Sequence, residues 1–259
     1  MSKLRDAVYG FAVGDALGLP YEYKERGSFT CTGMTGGGTW NQVKGTFSDD
    51  TSVLLATCAS IKKYGKVNAL DMMRRLAFWL YRGDYTPDGK VINVGNSTLQ
   101  AINAFDGVNP FCGRSSEWNN GNGALMRMLP LAFVEDISDE DIRRVVTLTH
   151  AHELAIKYCT GYVRVAEAIR KDMESEITYT LPLYSSAYVK DTFNSAIYAF
   201  TTTSSYEECV LKAINLGGDT DTIGALAGGL AGLKYGFDSI PEEWIRDLRR
   251  KDLIEENLF

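Results

Sequence analysis

The chain has 259 residues, 45% of them hydrophobic and 23% charged, which is material for a globular protein with a large core. Its formal charge of −6 argues against a nucleic-acid partner held by phosphate contacts. No stretch approaches the roughly 20 apolar residues that span a bilayer, and "MSKLRDAVYGFAVGDALG" lacks the apolar core of a secretory leader, so a cytoplasmic protein with no membrane partner is expected.

Leu4, Val8, Phe11 and Ala12 recur at helical spacing and predict a first helix. An irregular, glycine-rich stretch follows from Ser28 to Phe47 and contains "GGGTW". Val53, Leu54, Ala56 and Ile61 predict a second helix, preceded by "TFSDDTSVLLA", and another pattern begins at Ala69. After a second irregular stretch, Gly83 to Val94, helical spacing resumes at Asn96. "SDED" at Ser138 to Asp141 offers an N-cap for a helix running into "IRRVVTLTH". Further patterns start at His152, Val189, Ser205 and Asp221. Long alternating strands and internal repeats are absent, so the expectation is an all-α fold of roughly ten helices in one domain over residues 1–259. Cys31, Cys58, Cys112, Cys159 and Cys209 form no CxxC pair, which points to reduced thiols rather than disulfides or zinc.

Two predicted helix starts share an unusual composition. "TFSDDTSVLLA" and "GGDTDTIGALAG" each place two carboxylates and at least one hydroxyl ahead of an apolar helix. Helix capping accounts for one such side chain, because Asp, Ser and Thr satisfy free N–H groups and acids suit the positive helix end. The surplus needs a cation or protons, and a hard-oxygen set suits Mg²⁺ or Mn²⁺ better than zinc. If the two helix starts meet, Ser48, Asp49, Asp50, Asp219, Asp221 and Thr222 could hold one or two ions. Only two histidines are present and HExxH is absent, which disfavours a zinc hydrolase.

"GFAVGDALGLPYE", "FSDDTSVLLA", "NGNGALMRMLPLA", "LTHAH" and "GGDTDTIGALAGGLAG" together resemble the ADP-ribosylglycohydrolases, the group typified by dinitrogenase reductase-activating glycohydrolase. The motifs stand in the family's order and span nearly the whole chain. The resemblance implies an all-helical fold, a binuclear magnesium or manganese site, and hydrolysis of the bond joining ADP-ribose to an acceptor. It implies metal ligation by Asp49, Asp50, Asp219, Asp221 and Thr222, and by Ser48 where many members have threonine. Glu22 matches an acidic residue near the metals, and Glu22, Asp50 and Asp219 are the expected catalytic carboxylates. His150 matches a residue lining the ligand pocket, and Gly95, Asn96 and Ser97 fall at the edge expected to touch phosphate.

Glycines in "NGNGALMR" let backbone N–H groups approach an anion at a helix start, which nominates Asn122 and Gly123 for a diphosphate; a tight loop leading into a helix is the alternative. Asp15 reads as a buried, satisfied aspartate behind the site, Arg127 as half of a structural pair, and His152 as a surface or capping residue. The expected partner is an ADP-ribosylated protein, arginine-linked first, or an ADP-ribosyl small molecule, acted on by a monomer. Serine-linked or nucleic-acid-linked ADP-ribose, a non-catalytic ADP-ribose binding module, and a phosphoesterase on a helical scaffold are the rival readings. Acceptor choice is expected to depend on Ser28 to Trp40, Gly83 to Val94 and Asn109 to Asn119.

Overall fold

The computed structural model describes residues 2–174 and 177–259. Among these residues eleven α-helices occur, and extended structure is limited to isolated bridges. They are α1 (Lys3–Gly18), α2 (Asp49–Tyr64), α3 (Ala69–Arg82), α4 (Asn96–Ala104), α5 (Asp139–Val146), α6 (Glu153–Arg170), α7 (Val189–Thr201), α8 (Tyr206–Ile214), α9 (Thr220–Tyr235), α10 (Glu242–Asp247) and α11 (Lys251–Asn257). None is long and apolar enough to cross a membrane. The fold is all-α, and one hydrophobic cluster extends from Leu4 to Ile254.

The centre of the molecule is a pair of antiparallel helices, α1 and α9. Gly10, Gly14 and Gly18 recur every four residues and so share one face of α1, as Gly224, Gly228 and Gly232 do on α9. The two glycine faces meet with backbones in contact. A Cβ at Gly14 would lie 2.1 Å from the Gly224 carbonyl oxygen, and one at Gly10 would lie 2.3 Å from that of Gly228. Because the helices run in opposite directions, the C-terminal end of α1 lies against the N-terminal end of α9, where Thr220 Oγ1 donates to the Gly18 carbonyl at 2.8 Å. Helices α2, α6, α7 and α8 pack around this pair.

Three differences from the sequence-based expectation have physical causes. Helices α10 and α11 are too short to show a periodic pattern, and they are held by buried Trp244, Leu248 and Ile254. The "NGNGALMR" motif leads into two 3₁₀ turns, Leu125–Arg127 and Leu129–Phe133, rather than a helix. Pro130 lacks an N–H and restricts the residue before it, which disfavours continuous α-helix there. Arg127 makes no ion pair among the described residues. Its guanidinium donates to the Gly123 and Val145 carbonyls and to Thr149 Oγ1, and burial lowers its pKa to about 10.

Candidate active site

Three chain segments converge at the junction of α1 and α9. The 3₁₀ turn Leu19–Tyr21 continues α1 and delivers Glu22, α9 begins with Asp219, Asp221 and Thr222, and α2 begins with Ser48, Asp49 and Asp50. Asp15 on α1 ties α2 into place. Its carboxylate accepts the Ser48 and Thr51 N–H groups at 2.9 and 3.0 Å and the Thr51 hydroxyl at 2.6 Å. Thr222 Oγ1 lies 3.3 Å from both Asp50 and Asp219, and so links helix starts that are 172 residues apart.

Capping does not account for these acids. Ser48 is the α2 cap, with its Oγ accepting the Asp50 N–H at 3.1 Å, and Asp15 takes up two further backbone N–H groups. Asp219 occupies the N-cap position of α9 without making a side-chain cap bond. Six carboxylates (Asp15, Glu22, Asp49, Asp50, Asp219 and Asp221) are at most 6% exposed. Among the described residues none of the six forms a salt bridge. Asp50 Oδ1 and Asp221 Oδ2 are buried without a hydrogen-bond partner among the described residues.

The electrostatic result is a strong preference for protons or another cation. Burial pushes Asp49, Asp50 and Asp221 well above the usual carboxylate range, with neighbouring carboxylates adding to the rise. Burial also raises Asp219, lifts Asp15 to about 6, and, with Asp219 close by, lifts Glu22 to about 7. Oxygens of Asp15, Asp50 and Asp221 lie within 4.8 Å of one another, as do oxygens of Glu22, Asp219 and Asp221. These two overlapping acidic groups could hold a metal ion.

A cleft of about 250 Å³ opens over the acids. Glu22, Asp49, Asp50, Asp219 and Thr222 line its floor, and Gly95, Asn96, Ser97, Asn122, Gly123 and His150 line its walls. Ser48 and Asp221 lie behind the floor, bonded to Asp50 and to the Thr222 N–H. Helix α4 starts at the cleft with Gly95 as an N-cap that supplies no side-chain bond, leaving its first N–H groups available to an anion. Asn122 differs from expectation in detail. Its side-chain amide donates to Asp219 and to Thr192 Oγ1, and its backbone N–H donates to the Ala187 carbonyl. His150 is buried against Gly123, accepts or donates at 2.8 Å with Thr149 Oγ1, and has its pKa lowered to about 3 by burial and by Arg127. His152 caps α6, accepting the Leu154 N–H.

Several lining residues carry no signal in the sequence. Trp118 is 95% exposed at the mouth, and Trp79, fully buried, lines the cleft with an indole N–H that has no partner. Tyr23 and Asn93 complete the wall beside Glu22. Trp79 lies within an ordinary apolar helical pattern, and Asn93 within an irregular stretch, so neither has a local signature.

The family model described as ADP-ribosylglycohydrolase matches residues 1–184 and 160–258. The chain belongs to the ADP-ribosylglycohydrolase family. It is 31% identical to the ADP-ribosyl-[dinitrogen reductase] glycohydrolase of Rhodospirillum rubrum, over 95% of this chain and 90% of that relative. It is 26% identical to the ADP-ribosylarginine hydrolase Tri1 of Serratia proteamaculans (strain 568), over 100% of this chain and 79% of the relative. A solved structure described as an ADP-ribosylglycohydrolase-related protein complex superimposes with a TM-score of 0.81 at 30% identity, covering 98% of this chain and 95% of that one. This ADP-ribosylglycohydrolase is therefore an enzyme, and its buried acids lie where its glycine-faced helix pair brings three segment ends together.

Proposed function

We propose that the protein is a metal-dependent hydrolase of the glycosidic bond between ADP-ribose and an acceptor, with arginine-linked mono-ADP-ribose on protein as its first substrate. The observation that carries this reading is the set of six buried carboxylates that have no cationic partner among the described residues, two of whose oxygens have no hydrogen bond there. Asp49, Asp50, Asp219 and Asp221, with the Ser48 and Thr222 hydroxyls, would hold two Mg²⁺ or Mn²⁺ ions. When bound, such ions supply Lewis-acid polarisation and neutralise the acids. Arginine linkage is favoured by the activity for which the Tri1 relative is named.

The chain's own residues then divide the work. Free N–H groups at the start of α4 and the glycine-rich wall at Gly123 hold the diphosphate, which fixes the distal ribose over the acids. Departure of the acceptor passes through an oxocarbenium-like transition state, for which a carboxylate-lined floor is electrostatically complementary. Glu22 lines the cleft and accepts the proton of the attacking water. Asp50 and Asp219 orient the reacting ribose from the floor, and Asn122 keeps Asp219 in place.

The test is a panel of defined arginine-, serine- and nucleic-acid-linked ADP-ribosyl conjugates and a phosphomonoester, assayed after EDTA treatment with and without Mg²⁺ or Mn²⁺. Arginine-linked ADP-ribose should be released only when an ion is restored. Turnover indifferent to chelation, or release of phosphate from the monoester alone, would refute the proposal.

A further inference from the structure

The "GGGTW" stretch has no part in the chemistry just described, yet it lies directly behind Glu22. Gly38 has φ +68°, and a Cβ there would sit 2.0 Å from the Pro20 carbonyl oxygen, so glycine lets this loop rest on the turn that delivers Glu22. The next residue, Thr39, donates its hydroxyl to the Glu22 carbonyl at 2.6 Å. Trp40 then donates its indole N–H to Glu22 Oε2.

The other carboxylate oxygen is engaged from a different loop. Asn93, with φ +52°, donates its side-chain N–H to Glu22 Oε1 at 2.7 Å. Its amide oxygen accepts the Tyr23 hydroxyl at 3.3 Å, which fixes which end of the amide faces Glu22. Tyr23 also has positive φ, +65°, and its ring stands edge-on to Trp40 at 6.4 Å. Two non-glycine residues in the left-handed region, side by side at a buried carboxylate, mark a conformation that the surrounding contacts must enforce.

Glu22 is only 1% exposed, so water does not set its orientation. A neutral N–H on each oxygen, from two separate loops, with the Tyr23 hydroxyl close by, fixes the plane of the carboxylate without neutralising it. Each oxygen keeps a lone pair for an incoming water. Of the other acids, Asp15, Asp50, Asp219 and Asp221 receive hydroxyls, an amide or backbone N–H groups instead.

We infer that Trp40 and Asn93 are positioning residues that clamp the Glu22 carboxylate, and that this is the role of the "GGGTW" loop. The inference rests on the reading of Glu22 as the proton acceptor, and the experiment separates the two. Trp40→Phe keeps the ring and deletes the N–H, and Asn93→Leu deletes the second donor at similar volume. Each is measured for kcat, KM, ADP-ribose affinity by calorimetry and thermal stability, alone and combined with Glu22→Gln, on the conjugate cleaved fastest in the linkage panel.

A hydrogen bond to a charged group gives the expected scale, a fall in kcat of about 10- to 100-fold for either variant. KM and the ADP-ribose Kd should stay within about twofold of wild type. Adding Trp40→Phe to Glu22→Gln should lower kcat no further than Glu22→Gln does alone, because the clamp has nothing left to hold. A loop with a merely structural role would instead give effects that multiply and a weakened ADP-ribose affinity, and that result overturns the inference. Wild-type kcat in both donor variants beside an inactive Glu22→Gln would overturn the clamp alone. Wild-type kcat in Glu22→Gln would overturn both the clamp and the role of Glu22.

Discussion

Replacing Asp221 by asparagine should stabilise the metal-free protein while abolishing its response to divalent ions. Asp221 Oδ1 accepts the Thr222 N–H at 2.9 Å, a bond that an asparagine oxygen retains, whereas Oδ2 has no partner. Oxygens of Glu22, Asp219 and Asp221 lie within 4.8 Å of one another. At an effective dielectric of about 20, an ionised pair at that separation repels by roughly 3 kcal/mol. Proton uptake limits that repulsion, since burial already holds these carboxyls above their usual range. A net relief of about 1–3 kcal/mol follows, which is a rise of about 2–12 °C in Tm for a chain of this size. The new amide N–H also points into a region of carboxylate acceptors. Scanning calorimetry of EDTA-treated wild type and Asp221→Asn, repeated with excess Mg²⁺ or Mn²⁺, reads both effects. Wild type should gain about 2.7 kcal/mol at ion concentrations near 100 times Kd, and the variant far less. If the metal-free variant melts well below wild type and still responds to the ion, Asp221 serves the helix end and the reasoning fails.

The same carboxyls set a pH dependence. With Asp15 raised to about 6 and Glu22 to about 7, the metal-free native state holds protons that the unfolded chain releases near pH 4. Their contribution is full below about pH 4 and is lost as pH rises through about 7. The Tm gap between ion-saturated and metal-free protein should widen over that interval in a calorimetric series, and a constant gap would count against it. Gly14→Ala should destabilise by about 3 kcal/mol or more, because its methyl would sit 2.1 Å from a carbonyl oxygen of α9. Gly33→Ala, whose new carbon meets nothing nearer than 3.6 Å, should stay within about 0.5 kcal/mol, and equal urea midpoints for the two would refute the helix-contact argument. Trp118→Ala should leave stability unchanged, since the ring is 95% exposed. It should weaken ADP-ribose binding about 5- to 100-fold if a base stacks there, and an unchanged Kd by calorimetry would remove Trp118 from the binding surface.

Much of this protein is legible along the chain. The periodicity from Leu4, Val53, Ala69, Asn96, His152, Val189 and Ser205 corresponds to real helices, and the Ser138 cap forms a capping box. Those features depend on neighbours within about four residues, so local sequence encodes them. The two acidic helix starts can also be read, because their surplus carboxylates exceed what capping uses. Their meeting follows from glycines spaced by four on two distant helices, a pattern visible in sequence whose pairing and antiparallel direction are tertiary facts. Only the folded chain decided that Asp15 accepts the Ser48 and Thr51 N–H groups at the start of α2, that Asn122 spends its amide on Asp219 and Thr192, and that Asp50 and Asp221 keep oxygens with no partner among the described residues. It also brought Trp40 and Asn93, 18 and 71 residues from Glu22, onto the two oxygens of one carboxylate. Such contacts join irregular loops with no repeating period, and a hydrogen bond between them depends on where the whole core places each backbone. Composition and spacing therefore determine which acids must be neutralised, while the tertiary arrangement decides which groups hold each one in place.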